Sequence, residues 1–157
     1  MKRFKDANDA MKSIRRSIKI IDFIERSVGQ FSDHYKRLGR TVLWHLYNIC
    51  EAALYVCCAN DARTSGTITF PSLRDLPRFN SIPEMDIPFD IRNASKTANK
   101  YSIPDLENDI NQNEFFDAIQ AMKAVLTWIC ENTRVEDIRF ALDDILRNPL
   151  FNTDFAL

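Results

Sequence analysis

Glycine is scarce in this chain: three residues in 157, at positions 29, 39 and 66. Phosphate-cradling loops need clustered glycines so that backbone N–H groups can close on the anion. Folds that hold a nucleotide in that way are therefore excluded. Long apolar runs are missing too. No stretch approaches about 18 uninterrupted apolar residues, so no membrane span is expected. The amino-terminal MKRFKDANDAMK carries positive charge with no apolar run behind it, which is not the pattern of a secretory leader. The four cysteines, Cys50, Cys57, Cys58 and Cys130, have no His or Cys partner at zinc spacing. They read as small buried hydrophobes in a reducing compartment, so a cytoplasmic protein with no metal and no cofactor is expected.

Net charge is also nearly absent, at −1, with no global pull toward nucleic acid or membrane. Its distribution is uneven. Residues 1–40 hold 11 Lys/Arg against 5 Asp/Glu, and residues 41–157 hold 10 against 17. A basic amino-terminal face carrying Lys12, Arg15, Arg16 and Lys19 can meet RNA or an acidic protein partner; it can equally be a solvated face that balances an acidic body. No DNA partner is expected.

What is present is helical periodicity. Apolar residues are 45% and charged residues 27% of a length that suits one domain, 1–157. Ala7, Met11, Ile14, Ile18, Ile21 and Val28 share one stripe and predict a helix from about Asp6 to Val28, with Gly29 as its stop. Ile20 and Phe23 lie off that stripe and suggest a second contact surface. A second helix is predicted from Ser32-Asp33 to about Ala59, with a core stripe of Leu38, Val42, Leu46, Ile49, Ala53 and Val56. Leu43, Tyr47, Leu54 and Cys58 form a second stripe, so this helix is either central in a bundle or half of a dimer face. His34, beside Asp33, reads as a local contact at the helix start.

Residues 61–112 hold five of the six prolines and read as an irregular wrap, with a possible strand at Thr67–Phe70, a helix at Ala94–Tyr101 and a short helical turn after Pro104. A third helix follows Asn111-x-x-Glu114, with a seam of Phe115, Ile119, Met122, Leu126 and Ile129. Thr133-x-x-Glu136 predicts a capping box for a fourth helix with Val135, Ile138, Leu142 and Ile145 inward. The acidic pairs Glu136-Asp137 and Asp143-Asp144 diverge around that helix and suit a solvated face. Pro149 stops it, and the tail 149–157 is apolar enough to dock. The expected fold is all-α: an up-and-down four-helix bundle of two hairpins, 1–60 and 113–148, with the long insertion between them. A homodimer is expected, through the second stripe of helix two or the spare apolar residues of helix one.

Arg40-x4-His45-x-Tyr47 is the one triple that could carry chemistry. Histidine acts as general acid/base near neutral pH, and arginine holds a phosphate. The motif resembles that of the HEPN domains, small helical proteins that dimerise, many of them metal-independent ribonucleases of toxin–antitoxin and phage-defence systems. The resemblance implies His45 as acid/base, Arg40 as phosphate anchor and Tyr47 as a positioning residue, with the RNA 2′-hydroxyl attacking. Along one helix Arg40 and His45 would lie about 140° apart, so Arg40 must sit in a turn at Gly39 if both are to reach one phosphate. The same three residues also fit a hydrogen-bonded flanking histidine, a packed tyrosine and a surface cation. A second segment, Asp90-Ile91-Arg92-Asn93-Ala94-Ser95-Lys96, resembles the Arg-Asn opening of that motif, but Thr97, Ala98 and Asn99 follow where the histidine would stand. It implies a HEPN-like scaffold that binds through Arg92, Asn93 and Lys96 without cutting. Two functions remain open: a helical binding or regulatory protein, or a metal-independent endoribonuclease.

Overall fold

The computed structural model describes residues 4–28, 31–59 and 112–151, with the backbone alone at 28, 31–37 and 58–59. The predicted wrap with its strand and short helices, the Gly29 turn, the Asn111 cap, Arg92, Asn93, Lys96 and the tail beyond Phe151 lie outside the described residues. Four helices are present among the described residues: α1 (Ala7–Val28), α2 (Phe31–Ala59), α3 (Gln112–Asn132) and α4 (Glu136–Leu146). A 3-10 turn, Pro149–Phe151, follows α4.

Helix α1 starts where Asp6 caps it. Asp6 Oδ1 accepts the Asp9 N–H at 2.8 Å, and Asp9 Oδ2 reaches back to the Lys5 N–H at 3.0 Å. One orphan donor of the first turn, and the N–H just ahead of the cap, are thereby satisfied. Phe4, just ahead of the cap, is buried with its ring 5.4 Å from that of Tyr55. This fixes the chain's entry against α2.

Side-chain contacts set the helix directions. Ser13 meets Asn48 and Ser17 meets both Asn48 and His45, so position falls along α2 as it rises along α1, and the pair is antiparallel. Cys57, at the end of α2, touches Thr133, just past the end of α3. Asn148, just past α4, donates to Asp22 near the end of α1. The all-α four-helix bundle is thus up-and-down within each hairpin, while α2 and α3 run the same way.

The expected stripes form one core. Met11, Ile14, Ile18 and Ile21 of α1, the α3 seam from Phe115 to Ile129, and Ile138, Leu142 and Ile145 of α4 are all buried. Both stripes of α2 are buried as well: Val42, Leu46, Ile49, Ala53 and Val56 on one, Leu43, Tyr47 and Leu54 on the other. Of the two options the pattern left, α2 takes the central position. The start of the tail docks, with Leu150 and Phe151 buried.

One local expectation is corrected. The Thr133–Glu136 capping box does not form: Val135 stands at the N-cap position of α4 and no side chain caps it. Thr133 is buried, and its Oγ1 instead accepts the Val135 N–H at 3.1 Å while lying 3.1 Å from Cys57 Sγ. The turn between α3 and α4 is thereby tied to the end of α2. The expected start of α2 near Ser32-Asp33 holds, so the turn at Gly39 that convergence of Arg40 and His45 would require is not there. The helix runs from Phe31, with Gly39 buried inside it, so Arg40 belongs to the helix and not to a turn.

Leu126→Ala removes a fully buried side chain from the α3 seam and should cost about 2–5 kcal/mol in chemical denaturation. Phe140→Ala, at a position 65% exposed, should change stability by less than about 0.5 kcal/mol. Equal losses at the two positions would contradict this packing.

Candidate functional site

A helix carries its side chains around its axis at about 100° per residue. Because α2 is continuous from Phe31, Arg40 and His45 project about 140° apart, and Tyr47 lies close to the Arg40 side. Arg40 and His45 are half-buried and Tyr47 is buried. Within one chain the three are not converged on a shared point.

His45 belongs to a polar cluster between α1 and α2. Its Nδ1 lies 3.0 Å from Ser17 Oγ. Asn48, one turn on, donates from Nδ2 to Ser13 Oγ and Ser17 Oγ, each at 2.9 Å. Serines four apart share a helix face, so a single amide spans both. Ser17 and Asn48 are buried, where an unsatisfied polar group is costly. Ser17 accepts from Asn48 and keeps its own O–H to give. A neutral His45 with its proton on Nε2 takes that hydrogen at Nδ1 and completes the cluster. Burial lowers the His45 pKa below the usual histidine value, which favours the same neutral ring. The Trp44 indole meets the His45 ring edge-on, with centroids 4.8 Å apart. The imidazole is held in place as part of the α1–α2 contact.

Ser13, Ser17 and Asn48 were not among the residues the sequence singled out. The i, i+4 serine pair was visible, but its partner lies 31 to 35 residues away on another helix. Glu51, a further buried polar side chain on α2, was likewise missed.

The four cations expected on one face are there. Lys12, Arg15, Arg16 and Lys19 are exposed and, with Ile20, Phe23 and Arg26, line an open groove along α1. Ile20 is half-buried and Phe23 is 65% exposed, so an apolar centre lies among five cations. Of the spare apolar residues of helix one, Phe23 faces outward, while Ile20 also packs against the core.

Three of the thiols lie among the described side chains. Cys50 and Cys57 are buried, Cys130 is half-buried, and none of the three forms a disulfide. Burial raises the pKa of Cys50, and burial with Asp143 nearby raises that of Cys130, which keeps both as thiols rather than nucleophilic thiolates. Among the described residues no group of three His, Cys, Asp or Glu side chains could hold a metal ion, and no helix is long and apolar enough to cross a membrane.

No family model, no curated protein and no solved structure matches this chain.

Two variants test the cluster. Asn48→Ala removes the donor that both serine oxygens accept from and should destabilise the fold by about 1–3 kcal/mol in urea titration. For His45 the lowered pKa means that the unfolded chain binds the extra proton first. Stability should therefore hold above about pH 6.5 and fall as the pH drops below it. His45→Gln should flatten that decline below about pH 6.5; an unchanged slope would remove His45 from the linkage.

Proposed function

We propose that this chain is a non-catalytic, regulatory binding protein of the cytoplasm, built on a HEPN-like helical scaffold, that takes an acidic amphipathic helix of a protein partner on its α1 face. The observation that carries this reading is the α1 groove: Lys12, Arg15, Arg16, Lys19 and Arg26 around Ile20 and the exposed Phe23. Helix-in-groove recognition uses apolar anchors at helical spacing with charge matching at the rim. An apolar centre rimmed by cations suits a helix with apolar anchors and carboxylates beside them.

A protein partner is favoured over RNA because the rest of the chain is acidic and the net charge is −1. Repulsion from that acidic body would oppose a polyanion much longer than the groove. A toxin–antitoxin or phage-defence setting accords with such a regulatory role. Catalysis by Arg40, His45 and Tyr47 has less support: the His45 Nδ1 is engaged by Ser17, Arg40 projects elsewhere from the same helix, and Tyr47 is buried.

The test uses two labelled probes in fluorescence anisotropy, a synthetic acidic helical peptide with phenylalanine at i, i+4 spacing and a single-stranded RNA. The peptide should bind, and Arg15→Glu with Lys19→Glu should weaken it at least about tenfold, as should raising the salt. Tighter binding of the RNA would overturn the protein-partner reading. Cleavage of the RNA that His45→Ala abolishes would replace it with the endoribonuclease.

A further inference from the structure

A second patch on this molecule complements the α1 groove. Helix α4 turns Ile138, Leu142 and Ile145 into the core and leaves Glu136, Asp137, Phe140, Asp143 and Asp144 exposed. Phe140 is 65% exposed, the same as Phe23 on α1. Its helical neighbours at −4, −3, +3 and +4 are Glu136, Asp137, Asp143 and Asp144, so four carboxylates surround one aromatic ring position. Around Phe23 the corresponding neighbours include Lys19, Ile20 and Arg26, with Arg15 and Arg16 two turns back.

The two patches also match in length. From Glu136 to Asp144 spans about 12 Å along α4, and Lys12 to Arg26 spans about 21 Å along α1, at 1.5 Å per residue. The acidic patch fits within the basic one. Not every charge is spare. Arg147 holds Asp143 at 2.8 Å in an exposed i, i+4 pair, and Arg139 donates from Nη2 to Thr133 O. Glu136, Asp137 and Asp144 remain for a partner's cations.

We infer that the occupant of the α1 groove is the α4 face of a second copy of this chain, Phe140 seating beside Ile20 and Phe23 while Asp137 and Asp144 meet Arg15, Lys19 and Arg26. This rests on the α1 face being a docking surface for an acidic helix and names that helix. The contact joins two different patches, so it is heterologous unless two copies make it reciprocally about a two-fold axis. Copies joined by it either close into a ring, a reciprocal pair being the smallest, or continue as a chain. Opposite charge sets the register and excludes α1 on α1 or α4 on α4, where like charges would meet.

The experiment is a charge swap read by light scattering on size-exclusion chromatography over rising protein concentration. The wild-type chain should exceed the monomer mass in a concentration-dependent way. One variant carries Arg15→Glu with Lys19→Glu, the other Asp137→Lys with Asp144→Lys. Each alone should associate at least about tenfold more weakly, because the two substituted positions on one face then carry the same charge as the groups they meet on the other. Mixed in equal amounts they should assemble again, since the unsubstituted α1 face of one variant meets the unsubstituted α4 face of the other, and the four substituted positions pair with opposite charge. All four positions are exposed, and far-UV circular dichroism checks that both variants are folded. Phe140→Ala gives the same loss of association without altering charge. A wild-type chain that stays monomeric, association indifferent to both reversals, or a mixture that stays monomeric overturns the inference. If the acidic peptide binds a chain that does not self-associate, α1 remains a docking face with a foreign partner; if neither occurs, both readings fall.

Discussion

Nine consecutive residues of α2, Leu46 to Leu54, are buried, and the rest of the described fold is arranged around that enclosed stretch. Nine residues make two and a half turns, so every direction around the helix axis is covered. A helix in that position cannot offer a free face to solvent over its middle. Its polar residues there must be satisfied internally, which is why Asn48 reaches two serines on α1 and why His45, at the edge of the enclosed stretch, is drawn into the same cluster. The central position of α2 and the structural use of His45 have one cause.

The Ser13–Ser17–His45–Asn48 cluster also restricts how α1 and α2 can slide. Apolar stripes on two helices tolerate shifts of a turn with modest loss, because one aliphatic contact replaces another. Hydrogen bonds between fixed atoms do not: a shift of one turn would leave the Asn48 amide and the Ser17 hydroxyl buried without partners. A similar tie joins the hairpins, where Thr133 serves the Val135 turn and lies against Cys57. Few polar contacts are involved, yet each sets a register that the greasy stripes alone would leave loose.

This division explains what the amino-acid sequence discloses. The helices Ala7–Val28 and Phe31–Ala59 follow their expected limits within a residue or two, because burial on one face repeats every 3.6 residues and leaves a local signal. The core of α3 and α4 was legible for the same reason. The two stripes of α2 marked it as unusual, but only packing shows that both are covered within one chain. Thr133 looked like a capping residue because Glu136 stands three positions on; its hydroxyl goes elsewhere because Thr133 is buried against α2, which no local pattern encodes. The Arg40–His45–Tyr47 triple was visible as spacing, whereas the Ser17 contact that engages His45 comes from a residue 28 positions away. The basic face of α1 was legible as charge at helical spacing; Phe140 was not, since one phenylalanine among aspartates does not reveal its own exposure.

The acidic residues of α4 are placed where the helix itself gains little from them. Glu136 and Asp137 occupy the first turn and interact favourably with the positive end of the helix dipole. Asp143 and Asp144 stand at the other end, where the dipole is negative and where cations would be stabilising, and no basic residue lies in the last turn. The Arg147–Asp143 pair offsets part of that cost, but an ion pair so exposed is weak. On α1, Arg26 in the last turn agrees with the dipole, and Lys12, Arg15, Arg16 and Lys19 stand beyond the first turn, where the dipole is little felt. In the inferred contact, the carboxylates that do not serve α4, set beside a phenylalanine as exposed as Phe23, would meet the basic face of α1, and that contact would recover the small local destabilisation α4 bears.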